Sequence, residues 1–141
     1  MHQSLFKRAL IALVLAALAA TASPATPAPL RVSDLLGEWA WSCCDGTYSG
    51  RFQITGAKPD GTFSGRFMQT NATDIGTIQG VLRGDRVSFV RTVTYQGASY
   101  EQTWKARVVF TDGTWHMVDG FWNGYGENGV SSRAFVAYKV T

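Results

Sequence analysis

The stretch that decides the fold is YEQTWKARVVF, residues 100–110. Large or apolar side chains alternate there with charged or polar ones: Tyr100, Gln102, Trp104, Ala106, Val108 and Phe110 against Glu101, Thr103, Lys105 and Arg107. Alternation with a period of two is the pattern of a β-strand that has one buried face and one face in water. The stretch therefore predicts a strand over residues 99–110 whose first set of side chains points into a core.

Seven closely spaced turns on either side of this strand divide residues 35–140 into eight strand-like segments. No useful length of the mature part has helical periodicity, and the chain is rich in glycine, with 15 residues. Eight strands are the number at which a sheet closes with room for packed side chains or one small ligand. The sequence predicts an all-β protein, an eight-stranded antiparallel up-and-down barrel. Its strands are expected at residues 35–43, 47–55, 62–69, 74–82, 86–94, 99–110, 114–123 and 131–140.

The same alternation assigns faces and ends to the predicted barrel. The expected inward set is Trp39, Trp41, Tyr48, Phe52, Phe63, Phe67, Phe89, Phe121 and Phe135. The expected outward set is Ser49, Arg51, Gln53, Ser64, Arg66, Arg86 and Ser88. Tight turns at 58–61, 83–85 and 112–113 fall at one end. The other four connections are on the whole longer and fall at the opposite end, which we predict to be the open mouth.

The N-terminal region has the features of an export signal. Lys7 and Arg8 precede an apolar run, and Ala20-Thr21-Ala22 matches a small-x-small cleavage site. We predict a signal peptide at 1–22, a Pro/Ala-rich spacer at 23–33 and a barrel domain at 34–141. The mature protein is then expected to be periplasmic or secreted, with no membrane span. Without Lys7 and Arg8, 11 basic and 10 acidic residues remain, so no charge excess favours a nucleic-acid partner.

The opening residues of the barrel carry a family resemblance. Asp34-Leu35-Leu36-Gly37-Glu38-Trp39 resembles the Gly-x-Trp start of the lipocalin-like (calycin) superfamily. In that superfamily a basic residue of the last strand packs on the Trp, and the register implies Lys139 rather than Arg133 for this role. The spacing from Trp39 to residues 60–67 and to the Trp of the sixth strand is similar to avidin-like barrels. Two polar biotin contacts of that pattern are replaced here by Trp41 and Phe67, so the resemblance implies the barrel rather than the biotin contacts.

The inward positions nearest the mouth form the candidate ligand site. We expect stacking walls from Trp41, Tyr48, Trp104 and Phe121. Arg91 and Arg133 would neutralise an anionic group, whereas Gln102 and Asn123 would orient polar atoms, with Tyr100 beside them. Two alternatives remain open: Asp119, Glu127 or backbone carbonyls already satisfy the arginines, or the assigned register is wrong by one residue and they point to water.

Two functions follow from these positions. The first is binding of a compact, partly aromatic or anionic small molecule at the open end. The alternative is a protein–protein interaction module or inhibitor that uses its rim loops, with Cys43-Cys44 and Tyr125, around a filled core. About a dozen aromatic side chains point inward, and that number can fill an eight-stranded barrel. The sequence does not predict an oligomeric state.

Cys43 and Cys44 are adjacent and are the only cysteines. In an oxidising compartment the alternatives are a vicinal disulfide at the barrel rim, two free thiols, or a link between chains.

The sequence gives little support for catalysis. His116 has outward parity, Asp119 would be a lone inward carboxylate, and no nucleophile–base set or metal-ligand spacing can be assembled. We therefore expect no enzyme activity, no metal and no cofactor.

Overall fold

The computed structural model describes residues 28–70, 75–126 and 129–140. Within these residues eight antiparallel strands follow one another in chain order, and β8 pairs with β1, so the sheet forms a closed barrel. The predicted architecture is confirmed. The strands are β1 Gly37–Cys43, β2 Tyr48–Ala57, β3 Thr62–Gln69, β4 Ile75–Arg83, β5 Arg86–Tyr95, β6 Ala98–Thr111, β7 Thr114–Gly126 and β8 Gly129–Lys139.

A 3₁₀ turn, Val32–Leu35, precedes β1 and closes one end of the barrel, which we call the closed end. Leu35 is fully buried, and its carbonyl oxygen accepts a hydrogen bond of 2.8 Å from the Trp39 indole N–H. Lys139 lies opposite Trp39 across β1 and β8, as expected from the register. Its ammonium donates a 2.8 Å hydrogen bond to the Asp34 carbonyl oxygen, which joins the last strand to the turn.

The folded unit begins earlier than predicted. Residues 32 and 33 belong to the 3₁₀ turn, and Leu30 and Val32 pack against the core. The predicted boundary between spacer and barrel at residue 34 therefore lies several residues too late, because apolar residues on the C-terminal side of the spacer are used to cover the closed end. The predicted signal peptide and the rest of the spacer, to residue 27, lie outside the described residues.

A bulge in β7 reverses the expected faces of its second half. The pairing of β7 with β8 shifts between Met117 and Gly120, and Asp119 adopts a positive φ of 52°. An extra residue in one strand exchanges inward and outward positions beyond it. Phe121 is consequently 48% exposed while Trp122 is 7% exposed. The inward orientation predicted for Phe121 and Asn123 is wrong.

Aromatic side chains fill the barrel interior around Trp104. Its ring lies 4.7–5.8 Å, centroid to centroid, from five neighbours: Trp41, Phe67, Phe89, Trp122 and Phe135. All six side chains are 0–7% exposed. Edge and offset contacts of this kind stabilise a core by about 0.5–1.5 kcal/mol per pair beyond the area they bury. The interior is a packed core below the level of the mouth.

Candidate functional site

The mouth is the end of the barrel opposite the 3₁₀ turn Val32–Leu35. The predicted site residues on its inner face are Trp41, Tyr48, Arg91, Tyr100, Gln102, Trp104 and Arg133. Strand pairing places them there, because Cα partners in a ladder share a face: Gln102 pairs with Arg91, Tyr100 with Val93, and Arg133 with the buried Trp122. Asn123 pairs with Thr103 on the outer face and is exposed. The structure therefore brings together seven of the nine residues that the sequence proposed.

The floor of the mouth is a polar pair, Arg91 and Gln102, which are 4% and 5% exposed. The Gln102 side-chain oxygen accepts hydrogen bonds from an Arg91 guanidinium N–H at 3.2 Å and from the Trp104 indole N–H at 3.3 Å. Its amide nitrogen donates to the Tyr125 carbonyl oxygen at 2.7 Å. Gln102 thus uses both ends of its amide, which fixes β5, β6 and β7 relative to one another at the mouth.

The Arg91 guanidinium is held in one orientation. Its central carbon lies 4.1 Å from the Phe67 ring centroid, a cation–π contact that offsets part of the cost of burying the charge. Gly76, on the neighbouring strand, leaves room for the Arg91 stem, since a Cβ there would come within 3.3 Å of the Arg91 Cγ and Nε atoms. A fixed cation therefore lies directly beneath the mouth.

The rim above this floor is open to solvent. Tyr48 and Tyr100 are half-buried, and Arg133 is exposed. The Tyr100 ring stacks on the Tyr125 ring with centroids 5.6 Å apart. The rim thus combines aromatic surfaces with the Arg133 cation, whereas Trp41 and Trp104 lie below it, inside the core. A ligand that left the core packing unchanged would contact the rim residues and not the two buried indoles.

Solved structures show which known barrels this one is similar to. It is similar to apo shwanavidin, with a TM-score of 0.56 and 15% identity over 75% of this chain and 100% of that chain. It is also similar to the biotin binding protein from chicken, with a TM-score of 0.54 and 19% identity over 79% of this chain and 100% of that chain. The fold is an avidin-like barrel. No family model and no curated protein sequence matches the chain.

In this avidin-like barrel the two cysteines lie at the rim as free thiols. Of the three alternatives that the sequence left open, this is the pair of free thiols. Cys43 ends β1 with its side chain in the core, whereas Cys44 begins the 3₁₀ turn Cys44–Gly46 with a φ of 60°, which turns the chain away. Burial, and secondarily a hydrogen bond with Cys44, raises the pKa of the Cys43 thiol to about 12. Cys43 is therefore a poor nucleophile at neutral pH.

The remaining candidate groups for chemistry do not converge. Asp119, expected to face inward, is instead on the outer face and forms an ion pair with Arg107 at 3.0 Å. His116 faces outward as predicted, with its ring 6.3 Å from the Tyr138 ring. Across residues 28–70, 75–126 and 129–140, no three His, Cys, Asp or Glu side chains lie close enough to hold a metal ion. In the same part of the chain, no helix is both long and apolar enough to cross a membrane.

Trp122 is an inner-face residue at the mouth that the strand alternation did not identify. It stacks on Trp104 and lies next to Arg133, at the position that had been assigned to Phe121. A signal was present in the sequence, since Asp119-Gly120 is a turn-type dipeptide inside a predicted strand. A lone glycine in a strand is a recognised mark of a bulge.

Proposed function

We propose that this chain is an exported barrel that binds a compact, planar anion on the rim of its open end. The observation that carries the proposal is the set of side chains around the inner face of the mouth. There the exposed Arg133 cation and the half-buried rings of Tyr48 and Tyr100 stand above the fixed Arg91–Gln102 floor. Guanidinium groups bind carboxylate and phosphate groups by paired hydrogen bonds, and aromatic rings stack on planar ligands.

The filled interior limits the size of this ligand. Trp41, Trp104 and Trp122 are each at most 7% exposed, so an extended lipid could not enter without displacing the core. A planar molecule lying across the rim needs no such change. The avidin-like fold adds support, because one of the similar structures is named as a biotin binding protein.

The experiment is native mass spectrometry of the protein purified from its own compartment without reductant. We expect a small bound mass that is lost on denaturation. The Arg133→Gln variant should lose that mass. Arg66→Gln, which removes an exposed arginine from the outer face of β3, should keep it. Retention of the mass by the Arg133→Gln variant would contradict a rim site that depends on this cation.

The same measurement tests export. Cleavage after Ala22 gives a mature chain that begins at Ser23, and its intact mass would identify this start directly. A mass that includes residues 1–22 in the exported fraction would contradict the proposed signal peptide.

A second function, contact with a protein partner through the rim, is favoured by one observation. Tyr125 and Val130 are opposite each other at the end of β7 and β8, and they are 51% and 74% exposed. Exposed apolar surface beside a filled barrel is typical of a docking site. A partner that copurifies with the protein and is lost from the Val130→Asp variant, but not from Arg133→Gln, would favour this function over ligand binding.

A further inference from the structure

A groove lies at the closed end of the barrel, opposite the mouth. It is bounded by residues 30–36, by the turn at 57–61 and by the turn at 82–84, and we call it the closed-end groove. Its volume is about 650 Å³, within the range of roughly 300–1,000 Å³ that small-molecule pockets occupy. None of the predicted site residues lines it.

The groove has an apolar part. Its wall includes Leu30, Val32, Leu36, Ala57 and Leu82. Leu36 is 37% exposed, directly beside the fully buried Leu35. The apolar side chains of the closed end thus continue past the core to a surface that solvent reaches.

The charges along the groove are mostly positive. Arg31, Lys58 and Arg83 line it, with Asp60 as the single acidic residue of the lining. The Asp60 carboxylate is already engaged, since it accepts hydrogen bonds from the Thr62 N–H at 2.9 Å and hydroxyl at 2.6 Å. These two bonds lower the pKa of Asp60, and the nearby Lys58 and Arg83 charges act in the same direction.

Two of the three cations are available to a ligand. Arg83 donates to the Asp60 carbonyl oxygen at 2.9 Å and so joins the turn at 82–84 to the turn at 57–61. Arg31 and Lys58, by contrast, have no carboxylate within ion-pair distance among the described residues. A lining that combines apolar side chains with two such cations complements a molecule that has an aliphatic body and an anionic head.

We propose that the closed-end groove binds a medium-chain aliphatic carboxylate, with its chain along Leu36 and Leu82 and its carboxylate at Arg31 and Lys58. A peptide fits less well, because the closed sheet offers no free strand edge for backbone hydrogen bonds. An aliphatic chain needs no such bonds. The site is separate from the proposed rim site and does not depend on it.

The test is isothermal titration calorimetry of the full chain with dodecanoate, below the concentration at which it forms micelles. Dodecyltrimethylammonium, which has the same chain length and the opposite charge, is the comparison ligand. We expect one dodecanoate per chain, and binding of the cation at least about tenfold weaker. Octanoate should also bind at least about tenfold weaker than dodecanoate, since each buried methylene contributes about a factor of four. Equal affinity for the two head groups, or no dodecanoate binding, would overturn the proposal.

Variants and amide signals locate the site. Arg31→Gln and Lys58→Gln should each weaken dodecanoate binding by about three- to tenfold, whereas Lys105→Gln, on the outer face of β6, should not change it. The amide signals of Gly61 and Gly84 should shift on binding, and that of Gly97, at the mouth, should not. Unchanged affinity in both groove variants, or shifts confined to Gly97, would contradict this site. Arg133→Gln, the variant that tests the rim site, should leave dodecanoate binding intact. Failure of the rim proposal can therefore be distinguished from failure of the groove proposal.

Discussion

The indole of Trp104 stacks on the indole of Trp122, with ring centroids 5.7 Å apart and planes inclined by 19°. The contact exists because the bulge at Asp119 moves Trp122 to the inner face and Phe121 to the outer face. One irregular residue in β7 thereby decides which of two adjacent aromatic side chains completes the core beneath the mouth.

Replacing Trp122 and Phe121 one at a time should show this exchange of faces. We expect Trp122→Ala to lower the free energy of unfolding by about 3–5 kcal/mol, since it removes a buried indole. Phe121→Ala should cost about 1 kcal/mol or less, because half of that side chain is already exposed. Urea unfolding of both variants provides the measurement. Equal losses would mean that both rings are buried and that the faces of β7 are assigned wrongly.

Removing the amide of Gln102 should destabilise the mouth. Gln102→Leu leaves the Arg91 guanidinium and the Tyr125 carbonyl without this buried partner, and we expect a loss of about 2–3 kcal/mol in the free energy of unfolding. The control is Gln53→Leu, a glutamine on the exposed face of β2, which should change it by less than about 0.5 kcal/mol. A neutral Gln102→Leu variant would argue against the hydrogen-bonded floor.

Lys139 should contribute more to the free energy of unfolding than an ordinary surface lysine does. Lys139→Met removes the hydrogen bond to the Asp34 carbonyl that holds the 3₁₀ turn on the barrel. We expect a loss of about 1–2 kcal/mol in the free energy of unfolding, together with faster hydrogen exchange at the Leu36 amide. Lys105→Met should show neither change. Unaltered exchange at Leu36 would indicate that the core residue Leu35 alone holds the turn.

The two adjacent cysteines should differ in reactivity. At pH 8, iodoacetamide should modify Cys44 at least about a hundredfold faster than Cys43, because the buried Cys43 is almost entirely protonated. Peptide mapping after timed quenching measures the two rates, with the unfolded chain as the reference. Comparable rates would contradict the burial of Cys43. Protection of both thiols that disappears on reduction would instead establish the vicinal disulfide in the oxidised protein.

Stability should fall with pH in the alkaline range through Cys43. Its pKa in the folded protein, about 12, is above the ordinary value of 9.0. The buried neutral thiol therefore contributes its full stabilisation below pH 9, and this is lost as the pH rises from 9 towards 12. The free energy of unfolding should fall by roughly 1 kcal/mol more per pH unit in the wild type than in Cys43→Ala. Cys44→Ala should keep most of this fall, because burial is the larger cause of the raised Cys43 pKa, and parallel curves for Cys43→Ala and wild type would disprove the assignment.

Much of the fold could be predicted because its signals are local. Alternation over residues 100–110 and turn chemistry at sites such as Asp112-Gly113 depend only on neighbours in sequence, and they located all eight strands to within a few residues. The same parity placed Arg91 and Gln102 correctly on the inner face. It failed from Asp119 onwards, since parity carries an error of one residue through to the end of the strand.

The sequence by itself determined the number of strands, their antiparallel order, and which end of the barrel has the longer connections. Each of these depends on backbone patterns that a short segment specifies alone. Only the tertiary structure decided that Trp104 and its neighbours fill the interior, that Trp122 replaces Phe121 in the core, and that Arg31 and Lys58 line one apolar groove. Such outcomes depend on side-chain volumes and strand registers summed over residues far apart in the chain, which no local pattern encodes.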